Sequence, residues 1–253
     1  MAHNLTRIDE AALKAAVIDR LIATRHADDN SVIVTEMTVA NWSRRADVVL
    51  ANGKLWGFEI KSELDSLSRL KGQVETFTKY FEKFVLVLAE RFVDEMLESI
   101  PEGVGLWSAD KVGNLTQKIA PKQTQLSAES YISLMTATEI KKLLTCNGLK
   151  TEKGCHRMAL VNEAIKLPIK DLSSAAREAV KNRYKERYHR FLSEKESKKT
   201  IKALSFLTRT PLKIPRQTHA PPAIVEIKDI PISHDNPYLV HAPSGPILKR
   251  KVD

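Results

Sequence analysis

Three charged residues in the first third of the chain carry the strongest chemical signal. Asp47 is followed twelve positions later by Glu59, and Lys61 lies two positions beyond Glu59. Two carboxylates that converge repel each other unless a cation lies between them, and a hard divalent ion accepts one or two carboxylates while it keeps water ligands. A lysine beside such an ion can orient or deprotonate the water, or stabilise charge on a phosphoryl transition state. The spacing therefore predicts a metal-assisted hydrolytic site.

A β-hairpin over residues 45–62 would bring these side chains together. The apolar run at 48–50 is typical of a strand that is buried on both faces. Asn52-Gly53 tolerates the positive φ values of a tight turn. In the return strand the alternation of side chains puts Glu59 and Lys61 on one face. Because charges at the ends of buried strands are costly without partners, we expect them to share one site.

Two further acids are candidates for the same site. Glu36 falls in a predicted strand over 31–38, in phase with an otherwise apolar face. Glu10 lies in the first turn of a predicted helix. Each acid also has a plainer explanation, because Glu36 could pair with Arg44 or Arg45 and Glu10 could stabilise the helix dipole.

The remaining periodicity predicts the elements that position the site. The order is α-β-β-β-α-β-α-β-β, with a continuous apolar run that indicates a central parallel strand at 83–89. A mixed central sheet flanked by helices, an α/β fold, is the expected architecture. The helix over 66–81 is expected to begin at a cap formed by Asp65 or Ser66 and to present Arg69 and Gln73. The other predicted elements are helices over 9–24 and 92–99 and strands over 103–108 and 114–119.

The composition divides the chain into three predicted domains or segments: residues 1–125, 126–207 and 208–253. The middle segment is a smaller all-α region. The third helix of this segment is long and is expected to begin at a cap formed by Asp171 or Ser173. The last segment is rich in proline and is expected to be an extended arm. Between residues 138 and 210 there are 18 Lys/Arg against 8 Asp/Glu, a bias that favours a polyanion such as DNA as partner, while a solvated helical surface is the plainer explanation. The predicted DNA-binding side chains are Arg69, Lys150, Lys153, Arg157, Lys181 and Lys185.

Several classes of protein do not fit the sequence. No apolar run approaches the roughly 18–20 residues of a membrane span, and the N-terminus lacks the pattern of a secretory signal. A cytoplasmic location without membrane contact is therefore expected. Cys146 and Cys155 are the only cysteines, so disulfides do not organise the fold. Together with His156 their spacing fits no familiar zinc finger.

Asp47, the tripeptide Glu59-Ile60-Lys61 and the order of the surrounding elements resemble the PD-(D/E)XK nuclease superfamily over roughly residues 5–120. The stretch from Lys61 to Gln73 resembles a branch of small bacterial and phage nuclease-like proteins. The chain departs from the signature at Ala46, where the superfamily has proline before the aspartate.

The resemblance implies a restriction-endonuclease-like core with a site for Mg²⁺ or Mn²⁺. The implied ligands are Asp47, Glu59, the main-chain carbonyl of Ile60 and either Glu36 or Glu10. Lys61 would assist the attacking water, and Gln73 would support the site.

The implied function is that of a metal-dependent endonuclease that hydrolyses DNA phosphodiester bonds in DNA repair, phage or mobile-element biology. Related nucleases often cut both strands as dimers, so a homodimer or a larger nucleoprotein assembly is also implied. The alternative is a catalytically silent nuclease-fold protein that binds DNA or takes part in an assembly.

Overall fold

A six-stranded mixed sheet organises the chain. The computed structural model describes residues 8–40, 43–151 and 154–208. The strands follow one another across the sheet in chain order, antiparallel from β1 to β3, parallel from β3 to β5 and antiparallel again at β6. This arrangement confirms the predicted α/β class. The strands are β1 Val32–Val39, β2 Arg44–Ala51, β3 Leu55–Lys61, β4 Lys83–Ala89, β5 Gly105–Ala109 and β6 Leu115–Ile119.

Eight helices accompany the sheet in the described residues. They are α1 Glu10–Ala23, α2 Leu70–Phe77, α3 Val93–Leu97, α4 Ala128–Ser133, α5 Ala137–Cys146, α6 Arg157–Ala164, α7 Ile169–Ser197 and α8 Thr200–Ala203. Short 3₁₀ turns precede α3 and follow α8. Up to β6 the order of helices and strands is the predicted one. Within the described part of the chain, none of these helices combines the length and the apolar character needed to cross a membrane.

Strand β3 is buried along its whole length, which is why a charge on it is conspicuous. A Cβ atom at Gly57 would overlap the ring of Phe81, so only glycine allows this close approach. Strand β4 lies parallel to β3, as its apolar run predicts, and all its residues except Lys83 are buried. The hairpin register pairs Val48 with Phe58, so Asp47 lies beside Glu59 at the open end of β2 and β3.

Helix α2 is shorter than predicted, and the prediction of its cap is wrong. The helix begins at Leu70 with Arg69 at the N-cap and no side-chain cap. The carboxylate of Asp65 instead accepts hydrogen bonds from the main-chain N–H and the hydroxyl of Ser62, at 2.8 and 2.6 Å. Because this turn closes the end of β3, the carboxylate is not available to the helix.

The start of α7 also differs from the prediction. Pro168 occupies the N-cap position, and the helix begins at Ile169 instead of after a cap at Asp171 or Ser173. Proline suits a helix start because it lacks the N–H that would be unsatisfied there. Asp171 lies in the first turn, where the helix dipole favours an anion.

Two apolar clusters are joined by α7. The first half of the helix packs with α4, α5 and α6, while Val180, Tyr184, Tyr188 and Phe191 belong to the cluster of the sheet. The aromatic side chains of α7 are thus part of the hydrophobic core. The predicted domain boundaries stay a prediction, and residues 209–253 of the proline-rich arm lie outside the described residues.

Glu82, immediately before β4, ties the sheet to the helical region. Its carboxylate accepts hydrogen bonds from the N–H of Leu55 and the hydroxyl of Tyr131, both at 2.8 Å, and from Nε of Arg177 at 2.9 Å. Burial by itself would raise the pKa of Glu82, but the hydrogen bonds, foremost those from Arg177, outweigh it and lower the pKa below its usual value. No sequence pattern singles out this residue, because its partners are distant in the chain.

Candidate functional site

A polar cleft of about 390 Å³ lies where the end of β3 meets the starts of β2, α1 and α2. Thr38, at the end of β1, and Ser43, just before β2, also lie at its wall. The cleft brings together most of the residues expected at the metal site. Its charged and amide-bearing lining residues are Glu10, Arg44, Arg45, Asp47, Glu59, Lys61, Asp65, Arg69 and Gln73.

Asp47 is fixed at the base of the cleft by the neighbouring strand. Its Oδ2 atom accepts a hydrogen bond from the N–H of Ile60 at 2.7 Å. Burial raises the pKa of Asp47 to about 6, although the charge of Lys14 and the bond from Ile60 act in the opposite direction. The hairpin therefore holds this carboxylate directly beside the Glu59-Ile60-Lys61 tripeptide.

Glu59 is only 1% exposed and has one satisfied and one unsatisfied carboxylate oxygen. Oε1 accepts hydrogen bonds from Nζ of Lys61 at 2.7 Å and from Nε2 of Gln73. Oε2 is buried without a hydrogen-bond partner among the described residues. Burial and the charge of Asp47 together raise the pKa of Glu59 to about 7. An unpartnered, buried carboxylate oxygen is costly, and a cation would satisfy it.

Lys14, which the sequence did not point to, lies in the same cluster. Its ammonium contacts the carboxylates of Glu10 and Glu36 and lies 3.6 Å from Oδ1 of Asp47. Burial by itself would lower the pKa of Lys14, but the charge of Asp47 and the bonds to Glu10 and Glu36 outweigh it and raise the pKa above its usual value. The sequence did contain one indication that Lys14 faces inward beside Glu10. It lies four residues after Glu10 and four before the buried Ile18, so the three share one face of the helix.

Glu36 and Glu10 both reach the cluster, so the structure does not choose between these two predicted acids. Carboxylate oxygens of Glu10, Glu36 and Asp47 lie within 4.8 Å of one another. Glu36 has a φ of +59° within β1, a left-handed conformation that is uncommon for this residue type. Its carboxylate pairs with Lys14 and also with Arg45, as the plainer explanation from the sequence anticipates.

The predicted DNA-binding residues do not lie together. Arg69 is exposed at the cleft, where Arg44 and Arg45 add two more guanidinium groups. Lys150 and Lys185 are exposed and have no ion pair with any residue in the described ranges.

The other three DNA-binding predictions lie elsewhere. Lys181 pairs with Glu178 at 2.9 Å on the surface of α7. Arg157 donates to the main-chain carbonyls of Met135 and Ile132, at 2.7 and 3.3 Å, and so holds α6 against the end of α4. Lys153 lies outside the described residues.

A second cleft, of about 430 Å³, lies beside the start of β4, between Phe84 and Gly103. Its only acid among the described residues is Glu102, which is exposed and pairs with Lys122 at 2.7 Å. This cleft therefore lacks the converging buried carboxylates of the first one.

Comparisons with known proteins place the chain in a family. The sequence model described as bacteriophage P4 protein cII matches residues 3–208. A relative named Protein cII, from Enterobacteria phage P4, is 36% identical over 188 residues, which are 73% of this chain and 71% of that protein. A solved structure of a protein of unknown function from Silicibacter pomeroyi aligns with 21% identity and a TM-score of 0.37, covering 56% of this chain and 94% of that one. The family match spans the whole described fold, and this chain belongs to the bacteriophage P4 protein cII family.

Proposed function

We propose that this chain is a divalent-cation-dependent nuclease that hydrolyses DNA phosphodiester bonds in phage biology. The observation that carries the proposal is the convergence of Asp47, Glu59 and Lys61 in one polar cleft, with Oε2 of Glu59 buried and without a partner in the described part of the chain. This convergence is what the resemblance to the PD-(D/E)XK superfamily implies. Such an enzyme would act on DNA in the cytoplasm of its host cell.

The donor atoms at the base of the cleft suit Mg²⁺ or Mn²⁺. Asp47, Glu59 and the carbonyl of Ile60 would hold the ion, because hard divalent cations prefer carboxylate and carbonyl oxygens. When bound, the ion would polarise a phosphoryl oxygen and lower the pKa of a water molecule. Glu36 would join the ligands only by leaving Lys14 and Arg45, to which it is paired.

Lys61 and Gln73 would hold the Glu59 carboxylate in position to bind the metal ion. Lys61 donates to Oε1 at 2.7 Å and Gln73 donates to the same atom, so the carboxylate is held from one side. The Lys61 ammonium, which also lines the cleft, is available to orient the attacking water or to stabilise charge on the phosphate.

The cationic rim of the cleft would bind the DNA backbone. Arg44, Arg45 and Arg69 line the same cleft as the acids, which places phosphate-binding groups next to the proposed chemistry. Guanidinium groups suit this task because they bind phosphate oxygens in a bidentate manner.

Cleavage of supercoiled and branched DNA in the presence of Mg²⁺ or Mn²⁺ tests the proposal. We expect wild type to cut, and Asp47→Asn and Lys61→Ala to lose cutting. Asp29→Asn and Lys111→Ala, at exposed positions away from the cleft, are matched controls that should cut like wild type. Metal-dependent cutting that survives both cleft substitutions would refute the assignment.

One observation favours a second candidate, a catalytically silent DNA-binding or assembly protein. Lys14 and Lys61 already pair with the acids of the cleft, so its charge is largely balanced without a metal. This candidate predicts DNA binding that falls with salt, is unchanged by Asp47→Asn and is accompanied by no cutting with either metal.

A further inference from the structure

The ammonium of Lys14 occupies the centre of an acidic cluster that would otherwise suit a metal ion. It contacts Glu10 and Glu36 and lies 3.6 Å from Asp47, and the oxygens of the three acids are within 4.8 Å of one another. Lys14 is only 8% exposed, although it is a lysine on a helix near the surface. An ammonium has three donors, and each of these three acids lies beside it.

Asp47 connects this cluster to the proposed metal position. Its Oδ1 atom is the one near Lys14, while Oδ2 binds the N–H of Ile60 on the side of Glu59. In sites with two metal ions, the ions lie about 3.5–4 Å apart. The Asp47 carboxylate, with one oxygen toward each cation position, therefore suits a pair of metal ions.

The two cation positions differ in the protein groups that already contact their carboxylates. Around Lys14, each carboxylate faces the ammonium, and Glu36 has Arg45 as a second cation. At Glu59, Oε2 is buried without a partner among the described residues, although Lys61 and Gln73 satisfy Oε1. The Lys14 ammonium therefore lies among all three acids of its position, whereas at the other position Lys61 contacts one oxygen of Glu59 and the other oxygen stays open among the described residues.

We propose that Lys14 takes the place of a second divalent ion, so that the cleft binds one ion, at Asp47 and Glu59. This inference rests on the proposed function for the first ion, but the second position is defined by Glu10, Glu36 and Asp47 alone. Removal of the ammonium leaves three acids of which, among the described residues, only Glu36 keeps an ion pair, with Arg45. Three carboxylates are hard oxygen ligands that suit Mn²⁺ or Mg²⁺.

The test counts Mn²⁺ ions bound to the full-length chain after removal of metal with a chelator. Titration calorimetry and the loss of the free Mn²⁺ resonance give the count for wild type, Lys14→Met and Lys14→Arg. We expect Lys14→Met to bind one ion more than wild type. Lys14→Arg keeps the charge and should bind the same number as wild type, and Glu36→Gln added to Lys14→Met should remove the extra ion.

The outcomes separate this inference from the proposed function. A count that is the same in Lys14→Met and wild type overturns the inference, as do two ions in wild type. No ion in wild type and one in Lys14→Met supports the second position but argues against the metal site at Asp47 and Glu59. If Lys14→Met folds poorly, the wild-type count still decides, since the inference requires it to stay below two at saturating Mn²⁺.

Discussion

At the scale of single residues, Glu59 is held in an environment that disfavours its ionised form. The residue is buried, its neighbour Asp47 is also an acid, and one oxygen of its carboxylate has no partner among the described residues. Burial and the charge of Asp47 raise the pKa of Glu59 to about 7. A carboxyl group whose pKa is higher in the folded than in the unfolded chain destabilises the fold when it is ionised.

Glu59→Gln is therefore expected to stabilise the metal-free protein. For wild type, the stabilising protonated form is lost as the pH rises from the unfolded value near 4.5 through about 7, so the unfolding temperature should fall across this window. At pH 8 the variant should unfold about 3–10 °C higher than wild type, for a gain of about 1–3 kcal/mol. Thermal unfolding followed by circular dichroism in a chelator measures this. Glu95→Gln, at an exposed position, is the control, and an unfolding temperature of Glu59→Gln below that of wild type would contradict the account.

The sequence was informative about those site residues whose geometry is local. The alternation of β3 and the turn at Asn52-Gly53 were enough to place Glu59 and Lys61 together and Asp47 beside them. Lys14 escaped notice because two of its three partners, Glu36 and Asp47, come from β1 and β2, and only the tertiary fold brings these two acids to it. Gln73 was identified through the family resemblance, and the structure places it on Glu59.

At the scale of elements, Glu82 couples β3, β4, α4 and α7. Its carboxylate receives the N–H of Leu55, the hydroxyl of Tyr131 and the guanidinium of Arg177. Such a fully bonded, buried anion fixes how the helical region attaches to the sheet. The sequence could not reveal this attachment, because Arg177 lies 95 residues from Glu82.

Glu82→Gln is expected to destabilise the protein and to change its stability at acidic pH. The pKa of Glu82 is lowered by its hydrogen bonds, so its contribution is complete above the usual glutamate value and is lost as the pH falls through the lower value of the folded state. Near neutral pH the loss should be about 2–4 kcal/mol, because the partly buried guanidinium of Arg177 loses its charged partner. Urea unfolding at several pH values measures it. The variant should show a smaller loss of stability on acidification than wild type, and equal slopes would argue against the assigned role.

The two wrong predictions of helix starts also belong to this scale. Asp65 and Asp171 have the side chains that usually cap helices, but Ser62 takes the first and Pro168 precedes the second. In both cases a neighbouring residue determines where the helix begins. The composition of the segment does not indicate which of several possible capping residues is used.

At the scale of the whole molecule, some basic side chains form ion pairs within the protein and others lie exposed on its surface. Many of the basic residues after position 138 are engaged within the protein, as Arg177 is with Glu82 and Arg183 is with Glu139. The excess of Lys/Arg in this segment is therefore not simply a DNA-binding face. The cations that line the cleft are Lys61 and the arginines at 44, 45 and 69.

Arg69→Ala is expected to weaken DNA binding about equally for all sequences. Each phosphate contact that is lost lowers the slope of log affinity against log salt by about 0.9 for duplex DNA. Fluorescence anisotropy with a labelled duplex at several salt concentrations measures the slope. Lys111→Ala, at an exposed position away from the cleft, is the control, and a slope unchanged by Arg69→Ala would exclude a phosphate contact there.

The most direct measurement of the central claim is the rate at which wild type and Glu59→Gln cut supercoiled plasmid with Mg²⁺ under single-turnover conditions. Because the variant is expected to be folded at least as stably as wild type, a lost rate reports the chemistry of the cleft. We predict that wild type cuts and that the variant is slower by at least about 100-fold, the size of effect typical of a lost electrostatic contribution to the transition state. Equal rates in the two proteins would contradict the account.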